Sequence, residues 1–250
     1  MFKGGKIRKG QQLLEEGKRL LAEKKYGDAK RLFEQSNKNF SKASDKKMDD
    51  ASEGYVRIAQ GHIFRNEKDY LEAMKSFGKA IMLFSRYPDF DDEVKTCRLE
   101  QAQSQIESAK QKAIDGEFLE SARLYEAAGA VFQMIEMEKE AASARARSYV
   151  QRAALVDDDF EKARFLEKSV EEFRKARENV LRVEGHALFY KGRSLINVRV
   201  KEAVSLLDRA SAKYEKAGAT EQVIKVRQLL EQVVKDARLG KFREERQRRY

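Results

Sequence analysis

The sequence predicts an all-α chain built as an array of about five helix pairs and closed by one further C-terminal helix. Three observations predict it. First, Tyr70, Ala73, Phe77, Ala80, Phe84 and Tyr87 are spaced three, four, three, four and three residues apart, the stripe made by one face of an α-helix. Second, that frame recurs as Tyr26, Ala29, Phe33, Ser36, Phe40, Ala43, as Phe118, Ser121, Tyr125, Ala128, Phe132, Ile135, and as Val200, Ala203, Leu207, Ala210, Tyr214, Ala217, with a looser copy in Phe160, Ala163, Leu166, Val170, Phe173. The anchors Ala29, Ala73, Ser121, Ala163 and Ala203 are separated by 44, 48, 42 and 40 residues, near one period, as in a helical repeat. Third, the 250 residues hold a single proline, Pro88, and no sustained alternation of the strand type; little proline and much Ala, Leu, Glu, Lys and Arg favour helix.

The elements follow in order. Residues 1–10 carry Lys3, Lys6, Arg8 and Lys9 among three glycines and read as a basic flexible arm. The repeat domain occupies residues 11–239. Its first helix runs from about Gln11 to Lys24, with Leu13, Leu14, Leu20 and Leu21 apolar. The turn at residues 24–28 leads to the second helix, and Met48 to Arg65 forms the third. Asp69 is placed to cap the central helix, which ends at Pro88. Glu93 to Ile114 is long and polar, and Asp115-Gly116 closes it. Phe118 to about Met137, Ala141 to Val156, Phe160 to Arg177 and Asn179 to Ile196 continue the pairs. Val200 to Lys216 ends near Gly218, and Thr220 to Leu239 caps the array with Val223, Val226, Leu230, Val233 and Ala237 on one side. Residues 240–250 form a basic tail with Lys241, Arg243, Arg246, Arg248 and Arg249.

Charge and reactive groups narrow the function classes. The net charge of +10 favours acidic partners, whether protein, nucleic acid or anionic lipid. Cys97 stands alone, so no intrachain disulfide forms, which suits a reducing compartment. No apolar run approaches the roughly 20 residues of a membrane span, and residues 1–10 lack an apolar signal core. A cytoplasmic protein, peripheral at membranes in the alternative reading, is the expectation. His62 and His186 are the only histidines, and nothing has metal-ligand spacing. The acid runs Asp49-Asp50, Asp91-Asp92 and Asp157-Asp158-Asp159 fall at helix starts, where carboxylates favour the dipole. No phosphate-binding glycine loop is present. The sequence therefore predicts no enzyme, no cofactor and no metal.

Gly17, Tyr26, Ala29, Phe33 and Gly61, Tyr70, Ala73, Phe77, Ala80 resemble the tetratricopeptide (TPR) pattern. A TPR unit spans about 34 residues and breaks after its second helix. Here Phe40, Phe84, Phe132 and Tyr214 extend that helix by about two turns. Longer pairs of this kind resemble the SNAP family, the soluble attachment proteins of membrane fusion; the nearest stretch is Ser121 to Ala154. The family's apolar N-terminal loop is matched only by Phe2 with Gly4 and Gly5, and its ATPase-engaging end is not matched by Phe242 to Tyr250.

The resemblance implies a right-handed α-α superhelix whose first helices line a concave groove, and an adaptor in membrane trafficking. Eleven residues back from each anchor stand Lys18, His62, Lys110, Arg152 and Gly192, with Arg193 one residue further. Arg65 and Arg145 share that side. The expected binding surface is thus Lys18, His62, Arg65, Lys110, Arg145 and Arg152. The carboxylate clamp of chaperone-binding TPR domains is absent, since Leu14, Ala59 and Glu107 stand at its positions. The partner expected is an acidic or helical protein. The alternative is a basic adaptor that binds an anionic membrane surface or nucleic acid through residues 1–10 and the tail.

Overall fold

Small residues on one helix facing bulky ones on the next set the packing. In the computed structural model, which describes residues 3–239, eleven α-helices and no strand occur among the described residues. They are α1 Lys3–Ala22, α2 Tyr26–Ala43, α3 Lys46–Asn66, α4 Tyr70–Phe84, α5 Asp91–Ile114, α6 Phe118–Met134, α7 Glu138–Leu155, α8 Asp159–Lys175, α9 Leu181–Leu195, α10 Val200–Lys216 and α11 Thr220–Arg238, with a short 3-10 turn at Pro88–Phe90. The contacts divide the chain into two units. One is Met1–Ser108 with Ala130–Glu136, and the other is Ala109–Gly129 with Met137–Tyr250. Within the first, α1 to α4 pack consecutively, and within the second, α7 to α11 do.

The recurring frame is the core. Ala29, Phe33, Ser36 and Phe40 on α2, and Ala73, Phe77, Ala80 and Phe84 on α4, are fully buried. Ser121, Tyr125, Ala128 and Phe132 on α6, and Ala203, Leu207, Ala210 and Tyr214 on α10, are buried at the same positions. Opposite them lie small residues seven apart. A Cβ on Gly17 would stand 2.5 Å from the Phe33 ring, and one on Gly61 2.7 Å from Phe77. One turn pair earlier, Gly10 abuts Phe40 at 3.0 Å and Gly54 abuts Phe84 at 2.6 Å. In the second unit Gly185 abuts Tyr214 at 2.7 Å, and Gly192 abuts Leu207 at 3.0 Å. Buried Ala102 and Ala109 on α5, and Ala146 and Ala153 on α7, hold the same spacing. Small residues one heptad apart on one face let neighbouring helices approach closely.

The fourth frame is displaced by one residue. Ser36 Oγ donates to the Gly10 carbonyl at 2.8 Å, and Ser169 Oγ donates to the Ala146 carbonyl at 2.9 Å. This shared bond aligns Leu166 with Phe33 and Phe173 with Phe40. Phe160, read as the opening aromatic of the looser copy, falls off the stripe and is exposed.

The helix ends are locally specified. Asp69 caps α4 as expected, its carboxylate accepting from the Glu72 amide at 3.1 Å. Asp45 caps α3 and Asp158 caps α8 in the same way. Left-handed residues close successive helices, among them Gly116 (φ +79°) and Gly218 (φ +67°), where the missing Cβ removes the steric cost. The first helix, expected from Gln11, begins at Lys3, so most of the stretch read as an arm is helical and Gly10 is buried. The long helix expected from Glu93 begins at Asp91, after Pro88 has opened the 3-10 turn. No described helix is long and apolar enough to cross a membrane.

Candidate functional site

The positions expected to bind a partner sit on α1, α3, α5 and α7, beside the small residues of the frame. In the first unit, Lys18 follows Gly17. Its Nζ lies 5.0 Å from the centroid of the Tyr55 ring and 3.3 Å from Glu15. His62 follows Gly61 and is buried. Its ring stacks on Tyr26 at 4.6 Å and meets Phe77 edge-on at 5.3 Å. Arg65 Nη2 donates to His62 Nδ1 at 3.2 Å, while Arg65 Nη1 binds the Glu100 carboxylate and lies 3.2 Å from Gln103 Oε1.

A guanidinium can donate only to an unprotonated imidazole nitrogen. Burial, reinforced by the charge of Arg65, lowers the His62 pKa to about 4. His62 is therefore neutral near pH 7, and the cation expected of it is absent. The Glu100 carboxylate stands 3.9 Å from Nδ1, but its charge is taken up by Arg65. Between pH 6.5 and about 4 the unfolded chain binds a proton here that the folded chain does not. Stability is accordingly expected to fall with decreasing pH across that window, at up to about 1.4 kcal/mol per pH unit. His186, whose pKa burial also lowers, adds in the same direction. Urea unfolding at steps between pH 7 and 4 checks this: His62→Gln should flatten the dependence, and an unaltered slope would count against a neutral, packed imidazole.

In the second unit the expected cations are joined to carboxylates. Arg145 Nε donates to Glu172 Oε2 at 2.8 Å, and Lys175 Nζ takes the other oxygen at 2.5 Å. Burial raises the Glu172 pKa, but these two partners outweigh it and hold the group below the usual carboxylate range. Arg152 Nη2 lies 2.5 Å from Glu126 Oε1, and Ser148 Oγ donates to the same carboxylate at 3.0 Å. Lys110 is exposed on α5.

The small-residue register also revises equivalence. Lys18, His62, Lys110 and Arg193 each follow a small residue of the frame, at Gly17, Gly61, Ala109 and Gly192. The fourth member of this row is Ala154, after Ala153, and Arg152 lies two residues off it. Arg193 donates to Asp159 from Nε at 2.6 Å and from Nη2 at 2.9 Å, and lies over the Phe189 and Tyr190 rings. The row combines ring contacts with ion pairs instead of presenting bare charge. The acids Glu100, Glu126, Glu172 and Asp159 were not foreseen in it. The tail residues Lys241, Arg243, Arg246, Arg248 and Arg249 lie outside the described residues.

The other reactive groups are packed or tied. Cys97 is fully buried, and burial pushes its thiol up to about 12. Asp50, expected at a helix start, instead ties α3 to the segment after α4. It accepts from Lys46 at 2.7 Å and from Arg86 and the Tyr87 hydroxyl at 3.0 Å. Burial raises its pKa, and those three bonds outweigh the effect and lower it. Among the described residues, no group of three His, Cys, Asp or Glu side chains could hold a metal ion. No protein-family model matches the sequence, and no curated protein matches it.

Proposed function

We propose that this chain is a non-enzymatic scaffold: a right-handed, TPR-like array of SNAP type that binds an acidic or helical protein partner along its first helices. The observation that carries the reading is the seven-residue pairing of small residues, repeated on α1, α3, α5, α7 and α9 and set beside a bulky frame on the following helix at α1, α3, α7 and α9. Such interlocking is how helix pairs stack into arrays, and arrays use their length as a binding surface. The use made of the reactive side chains agrees with it, since Cys97, His62 and His186 are spent on packing. The net charge of +10 favours acidic partners. A cytoplasmic adaptor role in trafficking belongs to this proposal.

Association is the measurement that tests it. Lys18→Glu with Lys110→Glu is expected to slow binding of an acidic partner about 3- to 10-fold at low salt. The effect should shrink at 0.5 M salt, where steering is screened, with helicity unchanged. Arg152 is left intact because its reversal would set two carboxylates together at Glu126. Equal association at low salt would remove the first helices from the binding surface.

A second reading rests on Lys3, Arg8 and Lys9, which are exposed at the start of α1. It makes the chain a basic adaptor for an anionic membrane or nucleic acid. Affinity capture at two salt concentrations, with and without nuclease, separates the two. Capture through phosphate contacts falls steeply with salt, whereas a protein interface with apolar content keeps much of its affinity.

A further inference from the structure

The last two helices leave an apolar groove of about 600 Å³. Val204 on α10, Leu230 and Val234 on α11, and Leu239 just beyond it supply the apolar lining. Asp208 and Glu231 stand at its sides, and neither carboxylate has a hydrogen-bond or ion-pair partner among the described residues. Lys235 and Arg238 complete the rim. Two carboxylates without partners thus flank an open apolar floor.

We propose that the occupant of this groove is the chain's own segment 240–250. Leu239 is itself a groove residue, so the segment starts at the mouth. It reads Lys241-Phe242-Arg243-Glu244-Glu245-Arg246-Gln247-Arg248-Arg249-Tyr250 after Gly240. Phe242 and Tyr250 supply apolar surface for the floor. Arg246, Arg248 and Arg249 supply partners for Asp208 and Glu231, and Glu244 and Glu245 supply partners for Lys235 and Arg238.

Reach is sufficient. Leu230 lies about 14 Å back along α11 from Leu239 at helical rise, and eleven extended residues cover up to about 36–40 Å. Gly240 tolerates the reversal that brings the segment back along α11. A tethered segment competes at an effective concentration of order millimolar, ahead of a free partner of similar affinity. Docking would withdraw the basic residues from other acidic partners. The inference stands apart from the scaffold reading and does not require it.

Disulfide trapping in the full chain tests the inference. Val234→Cys with Gln247→Cys removes neither a charge nor an aromatic. Ile224→Cys with Gln247→Cys is the control, because Ile224 is exposed and within the segment's reach but does not line the groove. Cys97 is buried in both. The expected result is a monomeric cross-link that forms about 10-fold faster in the groove pair than in the control. Glu231→Lys should slow it severalfold at low salt, and adding Arg249→Glu should restore it. Equal rates in the two pairs would overturn the proposal. Covalent dimers in place of the monomeric product would overturn it too, in favour of a second copy in the groove. A rate indifferent to both charge changes would overturn it as well.

Discussion

Phe77→Ala is expected to destabilise the chain by about 3–5 kcal/mol, and to raise the His62 pKa from about 4 toward its ordinary value. Phe77 is fully buried on α4. Its ring fills the hollow above Gly61 and meets His62 edge-on at 5.3 Å. The residues around it are fixed by other bonds. Arg65 is held by Glu100 and Gln103, and Tyr26 is stacked on the His62 ring. These neighbours cannot collapse into the space, so the lost transfer energy and the cavity both count. Water entering beside His62 reduces the burial that keeps it neutral. Chemical denaturation gives the first quantity and an NMR titration of the imidazole gives the second. A loss below about 1 kcal/mol with an unmoved titration would mean that Phe77 is not the plug of this hollow.

What the sequence made legible was the part governed by period. An aromatic or leucine every seven residues, with Ala or Ser between, has one reading on a helix, and the second helices emerged with their buried faces in place. The partner face of the first helices was harder to see. Gly17 and Gly61 stand out, but Ala102, Ala109, Ala146 and Ala153 do the same work with the commonest helix-forming residue, which marks no position. That concealment explains the error at Phe160. The fourth frame was aligned on Ala163, whereas the bond from Ser169 to the Ala146 carbonyl sets it one residue away.

The cations were legible as residues and illegible as a surface. Arg193 follows the small residue Gly192 of the row, and Arg152 lies two residues from the row's position at Ala154. Long side chains reach across to neighbouring helices, however, and Glu100, Glu172, Glu126 and Asp159 meet them there. Nothing in a one-dimensional pattern says which glutamate an arginine will find. His62 illustrates the same limit, since its neutrality follows from the rings and the guanidinium placed around it. An acidic partner therefore competes with carboxylates already in the chain.

Gly61→Val is expected to cost about 3 kcal/mol or more, at the upper end of overpacking. A Cβ at this position would already lie 2.7 Å from the Phe77 ring, and the two further methyls of valine have nowhere to turn. The backbone there is ordinary helix, so the cost comes from the clash and not from φ. Gly61→Ala isolates the same clash in its smallest form, and Phe77→Leu alone opens a modest void. The fourth pair already carries the combination, with Ala153 and Leu166 buried in one cluster. Gly61→Ala together with Phe77→Leu should therefore cost less than the sum of the single changes, by about 1–2 kcal/mol. Denaturation of the two single variants and the double variant closes the cycle. Strict additivity would mean that Gly61 and Phe77 do not seat one another, and the small-to-bulky interlock would lose its standing as the rule that spaces these helices.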